Sequence, residues 1–166
     1  MASDIPVQNT GSEWLEHGDG VTCQSCHYDG THRLPGAHDP AFVRQALSVE
    51  LSVEDGQFNA QIAVSNVGHT VPTGDPFRRM ELQICSTSSC GQPLSRSVIR
   101  RDFRGPKWHL ERDSTLTPGV PREISGTVPA SATWWRLYYQ LAEDRLVTAL
   151  PEEEVGYTVH EGPLPK

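Results

Sequence analysis

Leu47-Ser48-Val49-Glu50-Leu51-Ser52-Val53-Glu54-Asp55-Gly56-Gln57-Phe58-Asn59-Ala60-Gln61-Ile62-Ala63-Val64 alternates apolar and polar residues on both sides of an Asp-Gly pair. In an extended chain successive side chains point to opposite faces, so Leu47, Val49, Leu51 and Val53 share one face and Ser48, Glu50, Ser52 and Glu54 the other. That is the pattern of a half-buried strand. Asp55-Gly56 is a turn signal. Phe58, Ala60, Ile62 and Val64 then repeat the alternation, which makes the stretch a β-hairpin.

The same period recurs downstream. Met80, Leu82 and Ile84 read as a third strand. Weaker strands are expected over Ser97–Phe103 and Trp108–Leu110, followed by a loop at Leu116–Pro121. Ile124, Gly126 and Val128 alternate next. Trp135, Leu137, Tyr139 and Leu141 follow the Pro129–Ser131 turn, and Val155, Tyr157 and Val159 close the series. Short alternating strands at this spacing predict a mainly β fold, an antiparallel β-sandwich (immunoglobulin-like) over residues 47–166.

Upstream, in the segment 1–46, residues 1–40 lack a sustained period and hold four of the seven histidines, His17, His27, His32 and His38. A short segment with little helix, folded around a cofactor that replaces the missing apolar core, reads this way. Asp39-Pro40 predicts one helix start, with Asp as N-cap and Pro in the first turn, leading into a short helix through Ala46. Trp14 and Leu15 are expected to cover one edge of the bound group.

The segment contains Cys23-Gln24-Ser25-Cys26-His27, the C-x-x-C-H pattern of haem c attachment. Two thiols three residues apart can each bond one vinyl carbon of a single porphyrin, and the following histidine becomes the proximal iron ligand. A zinc site would need two more ligands, and no second C-x-x-C exists. A thioredoxin-like redox pair would be expected near a βαβ pattern, which is absent. The other two cysteines, Cys85 and Cys90, frame the small polar loop Ser86–Ser89 and predict a disulfide. One haem c per chain and one disulfide use all four cysteines.

Composition narrows the partners. The 166-residue chain is 36% hydrophobic, with a mean hydropathy of −0.47. No apolar run approaches the ~20 residues of a membrane span. A formal net charge of −7 argues against nucleic acid and anionic membranes and suits a basic redox partner. Met1-Ala2-Ser3-Asp4 has neither a basic nor an apolar leader region. Haem c is normally attached outside the cytoplasm, so the expectation is a periplasmic or extracellular protein whose leader or upstream portion has been removed. A second copy of the chain is the other partner the sequence leaves open.

Between the second and third strands lies Asn66-Val67-Gly68-His69-Thr70-Val71-Pro72-Thr73-Gly74-Asp75-Pro76-Phe77-Arg78-Arg79, a long loop stiffened by Gly and Pro that carries one histidine. His69 approaches from an element separate from His27 and is the first choice for the second axial ligand. His32 is five residues after His27, and five extended residues reach at most about 17 Å. His38 has more slack. Met80 would form a Met/His pair, which raises potential, but its strand position already explains it as core. Arg78 or Arg79 is placed to pair with a haem propionate. Nothing resembles a catalytic triad or a phosphate loop.

Three motifs in order are similar to the C-terminal part of bacterial multihaem c-type cytochromes: Gly20–His27, His32-Arg33-Leu34-Pro35-Gly36 through Pro40, and Gly68-His69 through Pro72-Thr73-Gly74-Asp75. In that group a last C-x-x-C-H precedes an H-x-F-P-G segment and a β-sandwich holding a G-H-x-x-P-T-G loop. The resemblance runs from about Trp14 to the C-terminus. Tyr28 stands where the family often has Met, Leu34 where Phe is usual, and only one haem motif is present. It implies haem c, electron transfer and an extracytoplasmic location, with another cytochrome as partner. The function expected is a non-enzymatic electron carrier with bis-histidine ligation. The alternative is a five-coordinate haem enzyme, peroxidase-like, or a ligand-binding sensor. Attachment through Cys23 and Cys26 predicts that acid-acetone extraction of the exported protein leaves haem and its mass increment on the polypeptide.

Overall fold

The computed structural model describes residues 8–28, 30, 35–105 and 109–165. Strands β1 (Leu47–Glu54) and β2 (Gln57–Val64) pair antiparallel, with Leu47 opposite Val64 and Glu54 opposite Gln57. Asp55 and Gly56 both have positive φ, 50° and 71°. Two such residues between paired strands match the right-handed twist of a tight hairpin. Phe58, Ala60, Ile62 and Val64 are buried. Strand β7 (Arg122–Thr127) adds to β2, completing a sheet of order β1-β2-β7. Gly126 lies opposite Phe58. A Cβ there would come within 2.9 Å of the ring, so this position accommodates the aromatic by having no side chain.

A second antiparallel sheet has order β4-β3-β8-β9, from β3 (Arg79–Cys85), β4 (Ser95–Ile99), β8 (Trp134–Gln140) and β9 (Gly156–Pro163). One hydrophobic cluster joins Phe58, Ile62 and Val64 of the first sheet to Met80, Leu82 and Leu137 of the second, so the two sheets share a core. Every residue of β3 is buried. Its alternate face, Arg79, Glu81, Gln83 and Cys85, is polar apart from the cysteine and survives burial by mutual hydrogen bonding. Arg79 bonds Glu81 at 2.7 Å, Gln140 at 2.9 Å and Asp144 at 2.5 Å. Gln83 donates to Glu81 at 2.7 Å, and Arg136 reaches Gln83 at 2.7 Å and the Cys90 carbonyl at 3.1 Å.

The Ser97–Phe103 reading needs correction. Two strands occupy it, because β4 ends at Ile99 and the chain bends at Arg100. The buried Ser114 holds the bend: its hydroxyl accepts from Arg100 N–H at 2.9 Å and donates to Arg100 C=O at 2.7 Å. Strand β5 (Arg101–Arg104) then pairs with β6 (His109–Asp113) in a separate two-stranded sheet. Trp108, expected to open that second strand, lies outside the described residues. Val155, expected in the last strand, instead ends a one-turn helix at Glu152–Val155.

Ahead of β1 stand three short helices, α1 (Thr10–His17), α2 (Cys23–His27) and α3 (Pro40–Ala46). Asp39 caps α3, accepting from Ala41 and Phe42 N–H at 3.0 and 3.1 Å. Arg44 then ties α3 to β9 through the carbonyls of Val159 and Thr158 at 3.0 and 2.9 Å. Among the described residues no helix is long and apolar enough to cross a membrane.

Cys85 and Cys90 form a disulfide with their Cα atoms 5.2 Å apart. Closing so small a loop restricts the unfolded chain only modestly. A Cys85→Ser/Cys90→Ser protein should lose about 2 kcal/mol of stability by the loop-entropy relation, measured by urea unfolding against the oxidised wild type.

Candidate functional site

Thr22 starts α2 as N-cap: its hydroxyl accepts from Ser25 N–H at 3.3 Å, while Ser25 Oγ donates to the Thr22 carbonyl at 2.6 Å. In the resulting helical turn, residues three and four apart are neighbours. Cys23, Cys26 and His27 therefore sit side by side along one cleft of about 320 Å³. Both thiols are free. The cleft walls are mostly apolar, with Trp14, Val21, Phe42, Val43, Leu47 and Val71 among them. Leu15, expected beside Trp14, is 78% exposed and belongs to the outer side of α1.

His69 enters this cleft from the loop between β2 and β3. Its ring centre lies 6.1 Å from that of His27, with the two planes within 8° of parallel. His27 Nδ1 is 2.5 Å from the Pro35 carbonyl, and His69 Nδ1 is 2.9 Å from the Thr70 carbonyl. A carbonyl oxygen only accepts, so each Nδ1 must carry the proton. A neutral ring with its proton on Nδ1 has its lone pair on Nε2, the arrangement in which histidine binds a metal. Two thiols, two imidazoles each with Nδ1 on a carbonyl, and apolar walls fit a covalently attached haem.

The loop is held from two sides. Val71 and Leu116 exchange backbone hydrogen bonds of 3.0 and 2.7 Å. On the other side, Glu13 of α1 is 3% exposed and accepts from Thr70 N–H at 3.2 Å, Thr70 Oγ1 at 2.8 Å and Thr73 Oγ1 at 3.1 Å. Its second oxygen is 2.6 Å from Arg101 Nη2. Arg101 also donates to Thr70 Oγ1 at 3.0 Å and to Asp113 at 2.9 Å. Neither Glu13 nor Arg101 stands out in the sequence, because each is one charged residue in a polar stretch and only the fold buries them together.

Arg78 lines the same cleft and pairs with Asp75 at 2.8 Å. Its Nε is buried with no hydrogen-bond partner among the described residues. A buried donor left over on a cofactor cleft suits an anionic group. Burial pushes the Tyr139 phenol on the same wall up to about 12, against the opposing pull of Arg78, so it stays protonated. Arg79 is spent in the network behind β3.

The remaining candidates sit elsewhere. His38 is exposed in the turn before α3. Met80 has no exposed surface and belongs to the core of β3, away from the cleft lining. His32 lies outside the described residues. His17 ends α1 and lines a neighbouring hollow, and His160 Nε2 is taken by the Leu47 carbonyl at 2.8 Å. Among the described residues no group of three or more His, Cys, Asp and Glu is placed to hold a bare metal ion.

No family model matches the chain, and no curated protein does. Among solved structures the chain is similar to the crystal structure of a penta-heme cytochrome c552 from Thermochromatium tepidum, with a TM-score of 0.71 and 23% identity. The match covers 96% of this chain and 51% of that one, so the chain spans about half the length of its structural neighbour. At that identity the likeness establishes the fold.

Asp113 supplies a pH test of the charged group behind the loop. Burial works to raise its pKa, but hydrogen bonds from Thr115 and Arg101 outweigh it and hold the carboxyl below its usual value. A depressed carboxyl contributes stability above its unfolded pKa and loses it as pH falls through the folded value. The wild type should therefore lose stability more steeply than Asp113→Asn as pH drops below about 4, followed by thermal unfolding across an acid series.

Proposed function

We propose that the chain is a c-type cytochrome domain carrying one electron at a time on a single haem c, attached through Cys23 and Cys26 and held between His27 and His69. The observation that carries this reading is the pair of parallel imidazoles, 6.1 Å apart, each with Nδ1–H bound to a carbonyl. When bound, the haem supplies reversible one-electron exchange at its iron.

The chain's own residues do the rest. Cys23 and Cys26, both free thiols on the cleft, would be the residues that anchor the haem covalently. His27 and His69 would be the two protein ligands to the iron, and an iron so held would have no place for substrate, which favours an electron carrier over an enzyme. The two Nδ1–H bonds make the imidazoles more basic ligands. Trp14, Phe42 and Val71 keep water from the site. The free Nε–H of Arg78 offers a charge-assisted hydrogen bond to a propionate.

The Cys85–Cys90 disulfide supports a periplasmic or extracellular location, where such bonds persist. The neighbour's chain is about twice as long and carries five haems, which supports another cytochrome, or further haem domains, as the redox partner.

Visible and EPR spectra of protein matured in an export-competent host test the ligation. The ferric wild type should be low-spin, with a potential below that of a Met/His cytochrome. Replacing His69 by Ala should open the iron, giving a high-spin or water-ligated spectrum that binds added imidazole or cyanide faster. The same change at His32 or His38 should leave the spin state alone. A His69→Ala protein with the wild-type low-spin spectrum would exclude His69. A wild type already high-spin would transfer the assignment to a five-coordinate enzyme or sensor.

A further inference from the structure

We propose that Glu13 is a positioning residue for the distal imidazole, acting through Thr70; the inference rests on the ligation reading above. Thr70 is the hinge of the argument because all three of its polar groups are engaged. Its N–H and hydroxyl bond one oxygen of Glu13 at 3.2 and 2.8 Å, and its carbonyl accepts from His69 Nδ1–H at 2.9 Å. The residue that fixes the tautomer of His69 is thus itself fixed by a carboxylate from another helix.

Glu13 is in turn aimed from behind. Arg101 Nη2 holds its second oxygen at 2.6 Å and reaches Thr70 Oγ1 at 3.0 Å, and these three side chains are 3%, 8% and 7% exposed. A buried ion pair is a weak device for stability alone, since apolar residues of the same volume often do as well. What it supplies here is direction. One carboxylate oxygen accepts from both the N–H and the hydroxyl of Thr70, while the other is ion-paired with Arg101 and makes no hydrogen bond among the described residues, and this grip orients the Thr70 peptide with its carbonyl toward Nδ1.

Without the carboxylate, Thr70 is free to turn and Nδ1–H loses its acceptor. The proton then has no reason to favour Nδ1, and a ring protonated at Nε2 has no lone pair on that nitrogen to offer a metal. The ring plane, now within 8° of that of His27, is released as well. Packing adds to the tether without replacing it: a Cβ on Gly68 would lie 3.1 Å from Gly18 Cα and 3.2 Å from Trp14 Cδ1, so α1 approaches the loop closely beside the ligand.

The test compares haem-loaded wild type with Glu13→Ala, Glu13→Gln and Thr70→Val, using His69→Ala as the ligation control. Readouts are the ferric EPR g values, which depend on the angle between the imidazole planes, and the rate of cyanide binding. Removal of outer hydrogen-bond partners commonly weakens a metal–ligand bond 10- to 100-fold, so Glu13→Ala should bind cyanide about tenfold faster or more, with shifted g values. Glu13→Gln keeps an acceptor oxygen for Thr70 and should return most of the way to wild type, a rescue that loss of general stability does not predict. A folded Glu13→Ala protein with wild-type g values and cyanide rate overturns the proposal. Should Glu13→Ala fail to fold, Thr70→Val decides: a shift in the same direction supports the positioning role, and unchanged spectra overturn it. If His69→Ala itself leaves the spectrum unaltered, the ligation reading has failed in its own right and this inference falls with it.

Discussion

Two imidazoles can face each other at 6.1 Å with parallel planes only if something other than their own contact holds them apart. At that separation the rings do not touch, and each needs a rigid support of its own. His27 has the helical turn of α2, the Pro35 carbonyl and the Phe42 ring, whose centre is 5.2 Å away. His69 has a loop that would be mobile in isolation but is bonded to Leu116 on one side and to Glu13 on the other. The cleft between them is a consequence of these two supports.

The supports depend in turn on the shared core. Leu116 is buried at 1% exposure and is part of the hydrophobic cluster, so the bridge to Val71 ties the ligand loop to the core. Arg101 stands at the start of the small β5–β6 sheet, which exists because Ser114 bends the chain at Arg100. A hydroxyl thus determines where a guanidinium sits, and the guanidinium determines how Glu13 meets Thr70. The buried polar face of β3 shows the same economy: Arg79, Glu81, Gln83 and Arg136 satisfy one another, so the strand is enclosed on both faces without an apolar second side.

Much of the fold was legible because strands announce themselves through a period of two. The alternation from Leu47 to Val64, broken only by Asp55-Gly56, specifies a hairpin and its register together. Cys85 and Cys90 were legible as a pair because the loop between them is short and polar. The Ser97–Phe103 segment was misread as one strand because its bend depends on Ser114, which is remote in sequence. Glu13 and Arg101 were invisible for a similar reason. A charged residue in a polar helix looks solvated until another element is laid over it.

By itself the sequence determined the mainly β character, the hairpin and the local spacing of Cys23, Cys26 and His27. These properties depend on neighbours a few residues away, and periodicity or helical pitch is enough to specify them. Only the tertiary structure decided that His69, rather than His38 or Met80, lines the same cleft as His27, that each Nδ1 meets a backbone carbonyl, and that Glu13 and Arg101 stand behind the loop. Those facts concern distances between segments far apart along the chain. Such distances are set by the packing of the two sheets and by buried hydrogen bonds, which no local pattern encodes.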